Sequence, residues 1–230
     1  MKVVIFCGGK GYRMGSSKEE LPKPLFEIGE KPILWHLMKI YEYYGYKDFI
    51  LCLGYRGEKI KEYFADSPWN INFVDTGINS TKAERLNQIK KFIKEDNFLV
   101  SYGDDLSNVN IKELINYHNK KKKIVTLTTI KPESPFGIID LNESGEVEQF
   151  KEKPKLDYFI NGGFYVFNKK IFDYLGEGQE LEKGVFNCLI KEKQIVAFKH
   201  KGFWKSMNTF KDNLELNKLW ETKKPWAVWE

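Results

Sequence analysis

Short apolar runs separated by amphipathic segments dominate most of the chain. The runs are rich in β-branched and aromatic residues, which predicts strands at 2–7, 48–53, 70–74, 97–102, 124–130, 162–167 and 194–198. Three intervening segments, 32–45, 57–65 and 81–96, have apolar residues at helical spacing. Alternating strands and helices indicate a mainly parallel sheet that is covered on both faces.

The segment 136–154 follows a different pattern. Two short strand-like stretches flank Asn-Glu-Ser-Gly at 142–145, which predicts a hairpin inserted into the α/β pattern. Residues 212–230 predict a helix followed by a tail that contains proline and tryptophan. The C-terminal tryptophans, Trp204, Trp220, Trp226 and Trp229, would cover either a subunit interface or the protein's own sheet.

The composition is that of a globular protein: 230 residues with 42% hydrophobic and 30% charged side chains. No repeat or linker divides the chain, so we expect one α/β domain over residues 1–230. The formal net charge of +5 comes mostly from lysines spread along the sequence. Lys120–Lys123 follow a predicted helix, where cations complement the carbonyl end of the helix dipole. Without a nucleic-acid-binding motif, we expect no nucleic-acid partner.

The cysteines and the apolar runs bear on the cellular compartment in which we expect the protein. Cys7, Cys52 and Cys188 lie far apart without metal-ligand spacing, which argues against a zinc site and fits a reducing compartment. No run approaches the length of a membrane span, and the first run is too short for a secretion signal. We therefore expect a cytoplasmic protein without a membrane partner.

A glycine cluster directly follows the first predicted strand. Ligands of open α/β sheets bind beyond the carboxyl ends of strands, and Gly8, Gly9 and Gly11 would let backbone N–H groups approach phosphate oxygens. Arg13 can donate two parallel hydrogen bonds to a phosphate, and Lys23, between two prolines, can supply a point charge. The third Rossmann glycine and the Walker lysine are both missing. The loop therefore predicts either a polyphosphate site of another kind or, as the alternative, a strand-to-loop turn with incidental charges.

Two carboxylates follow the fourth predicted strand. Asp104 and Asp105 would lie at the carboxyl end of 97–102, where Mg²⁺ could bridge them to phosphates. The alternative is an acidic turn or a helix cap. No Ser/His/Asp or Cys/His arrangement suggests a protein nucleophile.

Seven short motifs occur in this order along the chain: "GGKGYRM", "LPKP", "VDTG", "YGDD", "FKEKP", "INGGF" and "GFWKSMNTF". In them the chain resembles the sugar-phosphate nucleotidyltransferases, and most of all the CTP-using members. The resemblance covers nearly the whole chain. It implies a single Rossmann-like, glycosyltransferase-A-like α/β domain with a mixed, mainly parallel central sheet.

The activity implied by the resemblance is transfer of CMP from MgCTP to a small phosphorylated acceptor, with release of pyrophosphate. An acceptor phosphate is already anionic, so the reaction needs charge neutralisation and alignment rather than a general base. The expected cofactor is Mg²⁺, and the expected partners are CTP, the acceptor and, in an oligomer, further copies of the chain. The CDP-linked product would serve capsule or surface polysaccharide synthesis.

The resemblance also assigns residues to roles. The catalytic cations are Arg13 and Lys23. The nucleotide-binding residues are Cys7, Gly8, Gly9, Gly11, Arg85 and Gly103. The acceptor-binding residues are Glu152, Lys153, Asn161 and Gly162. The metal-binding residues are Asp104, Asp105 and Asn208.

The metal positions depart from the family pattern. Asn208 stands where relatives have a second metal aspartate, so the metal would be held more weakly. Asp105 stands where close relatives have glycine, and our hypothesis is that it restores the lost charge. A catalytically silent nucleotide-binding protein is the alternative.

The pocket positions also depart. Ala83 and Glu84 replace a glycine pair, which predicts a shifted loop or a rearranged site. The segment before 74–77 is shorter than in glucose-specific relatives. The acceptor is therefore glucose 1-phosphate or a non-sugar phosphate, such as choline phosphate or glutamine phosphate.

Overall fold

A seven-stranded sheet forms the centre of the protein in the computed structural model, which describes residues 1–9 and 21–230. In chain order, the strands are β1 (Val3–Phe6), β2 (Glu27–Ile28), β3 (Lys31–Pro32), β4 (Asp48–Leu53), β5 (Asn70–Asp75), β6 (Asn97–Tyr102), β7 (Asp105–Ser107), β8 (Val125–Ile130), β9 (Ile138–Leu141), β10 (Val147–Lys151), β11 (Ile160–Asn168), β12 (Ile195–Lys199) and β13 (Trp204–Ser206). The α-helices are α1 (Ile33–Tyr43), α2 (Gly57–Phe64), α3 (Lys82–Ile89), α4 (Ile111–Lys121), α5 (Phe186–Lys191) and α6 (Phe210–Thr222).

The order of strands in the central sheet is β12-β8-β11-β6-β1-β4-β5. Only β11 is antiparallel to its neighbours, β6 and β8, whereas the remaining neighbouring pairs are parallel. This confirms the mixed, mainly parallel sheet. The exception has a topological cause, because β8 and β11 are joined by the β9–β10 hairpin rather than by a crossover helix.

The sheet is covered on both faces, as its continuous apolar strands predict. Val3 and Ile5 of β1 belong to a core cluster that contains residues of α1, α2, α4 and α6. Val4, between them, belongs to a second cluster that contains residues of α3 and α5. Successive side chains of a strand point to opposite faces, so one strand contributes to both cores.

The C-terminal tail covers the protein's own fold. Trp226 is fully buried, stacks on Trp220 with ring centroids 5.9 Å apart and meets the edge of His36 on α1. His36 Nε2 lies 2.8 Å from the carbonyl of Ile28, and burial lowers the pKa of His36 to about 4. Trp220 and Trp226 therefore pack on the protein's own core, as one of the two expectations for these tryptophans states.

Two small β-ribbons were not predicted from the sequence. The segments β7 and β13 pair although about a hundred residues separate them, and β2 pairs with β3.

The predicted helix 81–96 is α3 followed by a 3₁₀ turn, Lys90–Phe92, and an extended Ile93. The lysine run lies across the end of a helix: Lys120 and Lys121 are in the last turn of α4, and Lys122, directly after it, adopts a left-handed conformation. Among the described residues, no helix is long and apolar enough to cross a membrane.

Two glycines with positive φ differ in how much space surrounds them. Gly29 and Gly45 both have positive φ, 63° and 91°, but a Cβ at Gly29 would overlap the indole of Trp220, whereas one at Gly45 meets no atom within 4 Å. We expect Gly45→Ala to lower the free energy of unfolding by about 1 kcal/mol through backbone strain. Gly29→Ala should cost at least about twice as much, because Trp220 must also move. Chemical denaturation measures both, and equal losses would contradict the indole contact.

Candidate active site

The carboxyl ends of β1, β4 and β6 form a closely packed crevice. Beyond β1, the N–H of Cys7 donates to the backbone carbonyl of Cys52 at 2.9 Å, and the N–H of Gly103 donates to the backbone carbonyl of Phe6 at 3.1 Å. A Cβ at Gly103 would lie 3.0 Å from the carbonyl oxygen of Phe6, which is tighter than most real contacts. Cys7 is buried, and burial raises the pKa of its thiol. Glycine at 103 therefore lets neighbouring strand ends approach each other.

A buried guanidinium lies directly beneath the first glycine. Arg85 of α3 donates to the carbonyl of Leu53 at 2.9 Å, the hydroxyl of Thr76 at 2.5 Å and the carbonyl of Gly8 at 3.3 Å. A Cβ at Gly8 would overlap this guanidinium. Burial lowers the pKa of Arg85, but an arginine in a protein stays charged. Gly8 is therefore required by packing, and Arg85 supports the glycine loop from below.

Lys23, Asp104 and Asn208 come together at the same edge of the sheet. Lys23 belongs to a 3₁₀ turn, Lys23–Leu25, that follows Pro22. Its largely buried ammonium contacts the carboxylate of Asp104 directly and lies 3.4 Å from the amide oxygen of Asn208. The amide nitrogen of Asn208 donates to Ser206 at 3.1 Å, which orients its oxygen. The carboxylate of Asp104 and the amide oxygen of Asn208 therefore both face the ammonium of Lys23.

Asp105 has different neighbours from Asp104. Its carboxylate is buried, forms a hydrogen bond with Ser206 and packs so closely against Gly163 that a Cβ there would overlap it. Burial, and secondarily the charge of Asp104, raise the pKa of Asp105 well above its usual range. The structure thus brings Asp105 near the predicted metal residues but directs it toward β11.

The donor set fits a magnesium ion that is held partly by substrate. Among residues 1–9 and 21–230, no group of three or more His, Cys, Asp or Glu side chains could hold a metal. Mg²⁺, however, commonly uses only one or two protein oxygens together with phosphates. Asp104 and Asn208 supply a carboxylate and an amide oxygen that already converge on a cation, the ammonium of Lys23.

The predicted acceptor residues lie at the base of the hairpin and the start of β11. Glu152 and Lys153 directly follow β10, and Lys153 has a positive φ of 45°. The amide oxygen of Asn161 accepts from the N–H of Gly163 at 3.1 Å. The carbonyl of Gly162 accepts from the indole of Trp204 at 2.7 Å. Trp204 belongs to β13, so the β7–β13 ribbon joins the metal side to the acceptor side.

A polar network near Asn161 escaped the sequence analysis. Glu182 accepts from the hydroxyl of Tyr102 at 2.5 Å and from the ammonium of Lys82, which lies 4.5 Å from the centre of the Tyr102 ring. Tyr165 donates to Tyr102 at 2.6 Å, and Asn161 donates to Tyr165. Burial raises the pKa of Glu182, but the hydrogen bonds from Lys82 and Tyr102 outweigh it and lower that pKa. The sequence feature that could have pointed to this network is the position of Tyr102 directly before the Gly-Asp-Asp motif.

The replaced glycine pair starts a helix. Thr81 caps α3: its hydroxyl accepts from the N–H of Glu84 at 3.2 Å, and its own N–H donates to the Glu84 carboxylate at 2.8 Å. The same carboxylate accepts from the N–H of Gly178 at 3.2 Å. Ala83 is fully buried in the core. Both side chains therefore have local structural roles in the first turn of α3.

The structure gathers most predicted site residues at one edge of the sheet. Gly11 and Arg13 lie outside the described residues, so their predicted roles stay predictions. Gly9 is exposed directly after Gly8. Arg85 lies in the same crevice, but the acceptors described above belong to the protein itself.

Known proteins resemble the chain over its whole length in sequence. The sequence model of the family described as "Nucleotidyl transferase" matches residues 2–223. The chain is 43% identical to "Probable glucose-1-phosphate cytidylyltransferase" of Bacillus subtilis (strain 168), and all of both chains is covered. It is 40% identical to "Glucose-1-phosphate cytidylyltransferase" of Salmonella typhi, again over all of both chains. The first alignment spans 255 positions against 230 residues, so at least 25 positions are gaps in this chain.

Solved structures share the fold. HddC from Yersinia pseudotuberculosis, complexed with GMP-PN, is 25% identical with a TM-score of 0.73, and the match covers 95% of this chain and 99% of that one. A putative glucose-1-phosphate thymidylyltransferase from Bacillus anthracis has a TM-score of 0.75 at 18% identity, with 95% and 94% coverage. The second likeness concerns the fold alone.

Arg85 can be tested as a structural support. We expect Arg85→Met to lower the free energy of unfolding without any ligand by about 3 kcal/mol, because charged hydrogen bonds and the packing beneath Gly8 are lost. Arg56→Met, at a partly exposed arginine, is the matched control and should change it little. Urea denaturation measures both. An unchanged stability for Arg85→Met would contradict the supporting role.

Proposed function

The chain belongs to the nucleotidyl transferase family, and we propose that it transfers CMP from MgCTP to the phosphate of a small acceptor. The acceptor's phosphate oxygen attacks the α-phosphorus of CTP, and a new P–O bond forms as the bond to the β-phosphate breaks. Pyrophosphate leaves with the electron pair of that bond. The acceptor phosphate is anionic at neutral pH, so no side chain has to remove a proton.

The observation that carries the proposal is the convergence of Lys23, Asp104 and Asn208 beside the glycine loop. The reaction concentrates negative charge on phosphate oxygens, and a preorganised cation at that place stabilises the transition state. Lys23 has this role in the proposal, since its position is fixed by the proline-flanked turn and its ammonium is largely shielded from water. Arg13 would hold the β- and γ-phosphates. Gly9 would leave room for the nucleotide, because a Cβ there meets no described atom within 4 Å, whereas Gly8 and Gly103 make room for the protein's own Arg85 and Phe6.

Asp104 and Asn208 would hold the magnesium ion. When bound, the ion would neutralise charge on the phosphate oxygens and help to align them. Asn208 contributes no charge, so this pair carries one negative charge fewer than two aspartates. Our proposal is that Asp105, one residue from Asp104, offsets this difference through the electrostatic field of the site rather than by direct ligation. Burial raises the pKa of Asp105, so this role requires that the nearby magnesium ion, when bound, favours the ionised carboxylate.

Glu152, Lys153 and Asn161 would bind the acceptor. Lys153 is suited to a phosphate, and Glu152 to a hydroxyl or an amine. The relatives in Bacillus subtilis and Salmonella typhi are named for glucose 1-phosphate, which makes a sugar 1-phosphate the first acceptor to test. An amine-bearing phosphate, such as choline phosphate or glutamine phosphate, is the second. The proposed CDP-linked product would be a precursor of capsule or surface polysaccharide.

The alternative function is binding of nucleotide without catalysis. One feature favours it: Asn208 replaces a carboxylate at a position proposed to hold the metal. The two functions differ in a single measurable product, pyrophosphate, whereas both predict that CTP binds.

Pyrophosphate release tests the function directly. The chain is incubated with Mg²⁺, each of the four nucleoside triphosphates and a panel of phosphorylated acceptors. We expect release with CTP and one acceptor, and we expect Lys23→Met to lower kcat/KM by about 10²–10³. Lys39→Met is the matched control, because Lys39 also forms an ion pair but lies on α1. Tight CTP binding without pyrophosphate under any condition would contradict catalysis and support the alternative.

The charge hypothesis has its own test. Asp105→Asn should raise the Mg²⁺ concentration for half-maximal activity about tenfold, and Asn208→Asp should lower it. Asp157→Asn removes an exposed carboxylate paired with Lys131 and serves as the control. Thermal unfolding verifies that each variant is folded. If the Mg²⁺ requirement of Asp105→Asn equals that of the unchanged chain, compensation by Asp105 is excluded.

A further inference from the structure

A cavity of about 450 Å³ opens at the edge of the central sheet that lies opposite the candidate active site. Four neighbouring strands meet at this edge, since β6, β8 and β12 begin there and the antiparallel β11 ends there. The N–H of Asn168 donates to the carbonyl of Ile124 at 2.8 Å, and the N–H of Val125 donates to the carbonyl of Gln194 at 3.0 Å. The strand ends around the cavity are therefore fixed, and its volume is typical of a site for a small molecule.

A network of polar side chains forms part of the cavity wall. Asn97 of β6 lies directly opposite Asn168 of β11, whose amide nitrogen donates to the amide oxygen of Asn97 at 2.8 Å. The amide nitrogen of Asn97 donates in turn to the amide oxygen of Asn119 on α4, at 3.3 Å. His118 lies with Nε2 3.3 Å from the same oxygen of Asn97 and with Nδ1 2.9 Å from the hydroxyl of Thr126. Hydrogen bonds thus hold the side chains of this wall in place.

The cavity contains positive charge that the protein itself does not neutralise. Lys122, Lys123 and Lys170 line it. In the part of the chain that the structure describes, none of their three ammonium groups forms an ion pair. The side-chain nitrogens of Asn119 and Gln194, which also line the cavity, find no acceptor within residues 1–9 and 21–230. The cavity therefore offers hydrogen-bond donors to an occupant, which favours an anion.

The acidic side chains beside the cavity have partners of their own. Asp96 forms an ion pair with Lys169 at 2.7 Å. Glu192 is the one acidic residue among the described residues that line the cavity, and it accepts from the hydroxyl of Tyr174 at 2.5 Å. Burial lowers the pKa of His118 to about 4, so its ring is uncharged at neutral pH. Three lysines and one glutamate leave an excess of two positive charges in the lining, which matches a phosphate dianion.

We propose that this cavity is a second binding site, for a small phosphorylated ligand. The phosphate would lie among the ammonium groups of Lys122, Lys123 and Lys170, each of which is a compact charge on a flexible stem. A phosphate monoester carries up to two negative charges at neutral pH and has three oxygens that accept hydrogen bonds, whereas a carboxylate carries one charge. The number of cations in the lining is what selects a phosphate over a carboxylate.

The cavity is separate from the candidate active site. Strand β6 runs from Asn97, at the cavity, to Tyr102, directly before the Gly-Asp-Asp motif. At about 3.3 Å per residue, the two ends of this strand lie about 17 Å apart. Strand β11 likewise has Asn168 at the cavity and Asn161, a proposed acceptor residue, near its other end. A ligand in the cavity therefore takes no part in nucleotidyl transfer, and its binding can be tested even if the chain transfers no nucleotide.

Nuclear magnetic resonance of the three histidines tests binding at this place. His118 lines the cavity, His200 follows β12 at the opposite edge of the sheet, and His36 packs against the C-terminal tail. Titration with pyrophosphate, without Mg²⁺ and at constant ionic strength, should shift the ring resonances of His118 until they saturate. Acetate at the same ionic strength should leave them unchanged. No saturable shift of His118 with pyrophosphate, or an equal shift with acetate, overturns the proposal.

A matched pair of double variants distinguishes a site from general attraction to a basic surface. Lys123→Met/Lys170→Met should raise the pyrophosphate dissociation constant, measured from His118, at least about tenfold, because two ionic contacts are lost. Lys120→Met/Lys191→Met removes the same charge from two exposed lysines outside the cavity lining and should change it less than about twofold. Thermal unfolding verifies that both variants are folded. Equal effects of the two double variants overturn the site.

Two further ligands distinguish the possible sources of the phosphate. The same titration with CMP and with glucose 1-phosphate shows whether a nucleotide or a sugar phosphate binds more tightly in the cavity. Saturable shifts of His118 with either ligand support the proposal. Failure of both ligands to shift His118 overturns it, because the proposed contacts are made to the phosphate that both of them carry.

Discussion

The buried guanidinium of Arg85 is the contact on which the candidate site depends most. Three segments at the carboxyl edge of the sheet, which belong to β1, β4 and the turn after β5, each offer it an oxygen acceptor. Arginine suits this place because its donors form a rigid, planar fork that reaches several acceptors at once. Gly8 lacks a side chain for the same reason, since the fork occupies the space of its Cβ. Gly8, the second residue after β1, is thereby anchored from within the protein.

The β7–β13 ribbon extends this support to the opposite side of the crevice. It holds Asp104 and Asn208 within reach of Lys23, and Trp204 and Asp105 contact the start of β11. Residues about a hundred positions apart are thus set in one rigid arrangement before any ligand binds. Reactions that depend on positioning and electrostatics benefit most from such preorganisation.

The elements that the sequence predicted well are those with local causes. Buried strands such as β4 and β6 each contain a continuous apolar run, 49–53 and 98–100, and their bounds agree with the prediction. The β7–β13 ribbon could not be predicted, because three-residue strands have no periodicity and their partner is distant. Ala83 and Glu84 were interpreted only as a replaced glycine pair, but Thr81 and Glu84 also have the spacing of a capping box, and Glu84 does cap α3. Asp104 and Lys23 were recognised from their flanking motifs, whereas Lys82 and Glu182 lacked such a motif.

The β9–β10 hairpin leaves the central sheet at β8 and returns to its neighbour β11. Both of its ends are therefore fixed by adjacent strands, and backbone hydrogen bonds such as that between Ser134 and Pro154 close its base. Insertions, deletions or recombination within this single stretch of gene leave the scaffold unchanged. The acceptor range proposed for Glu152 and Lys153, which directly follow β10, can therefore diverge in evolution through exchange of one contiguous segment.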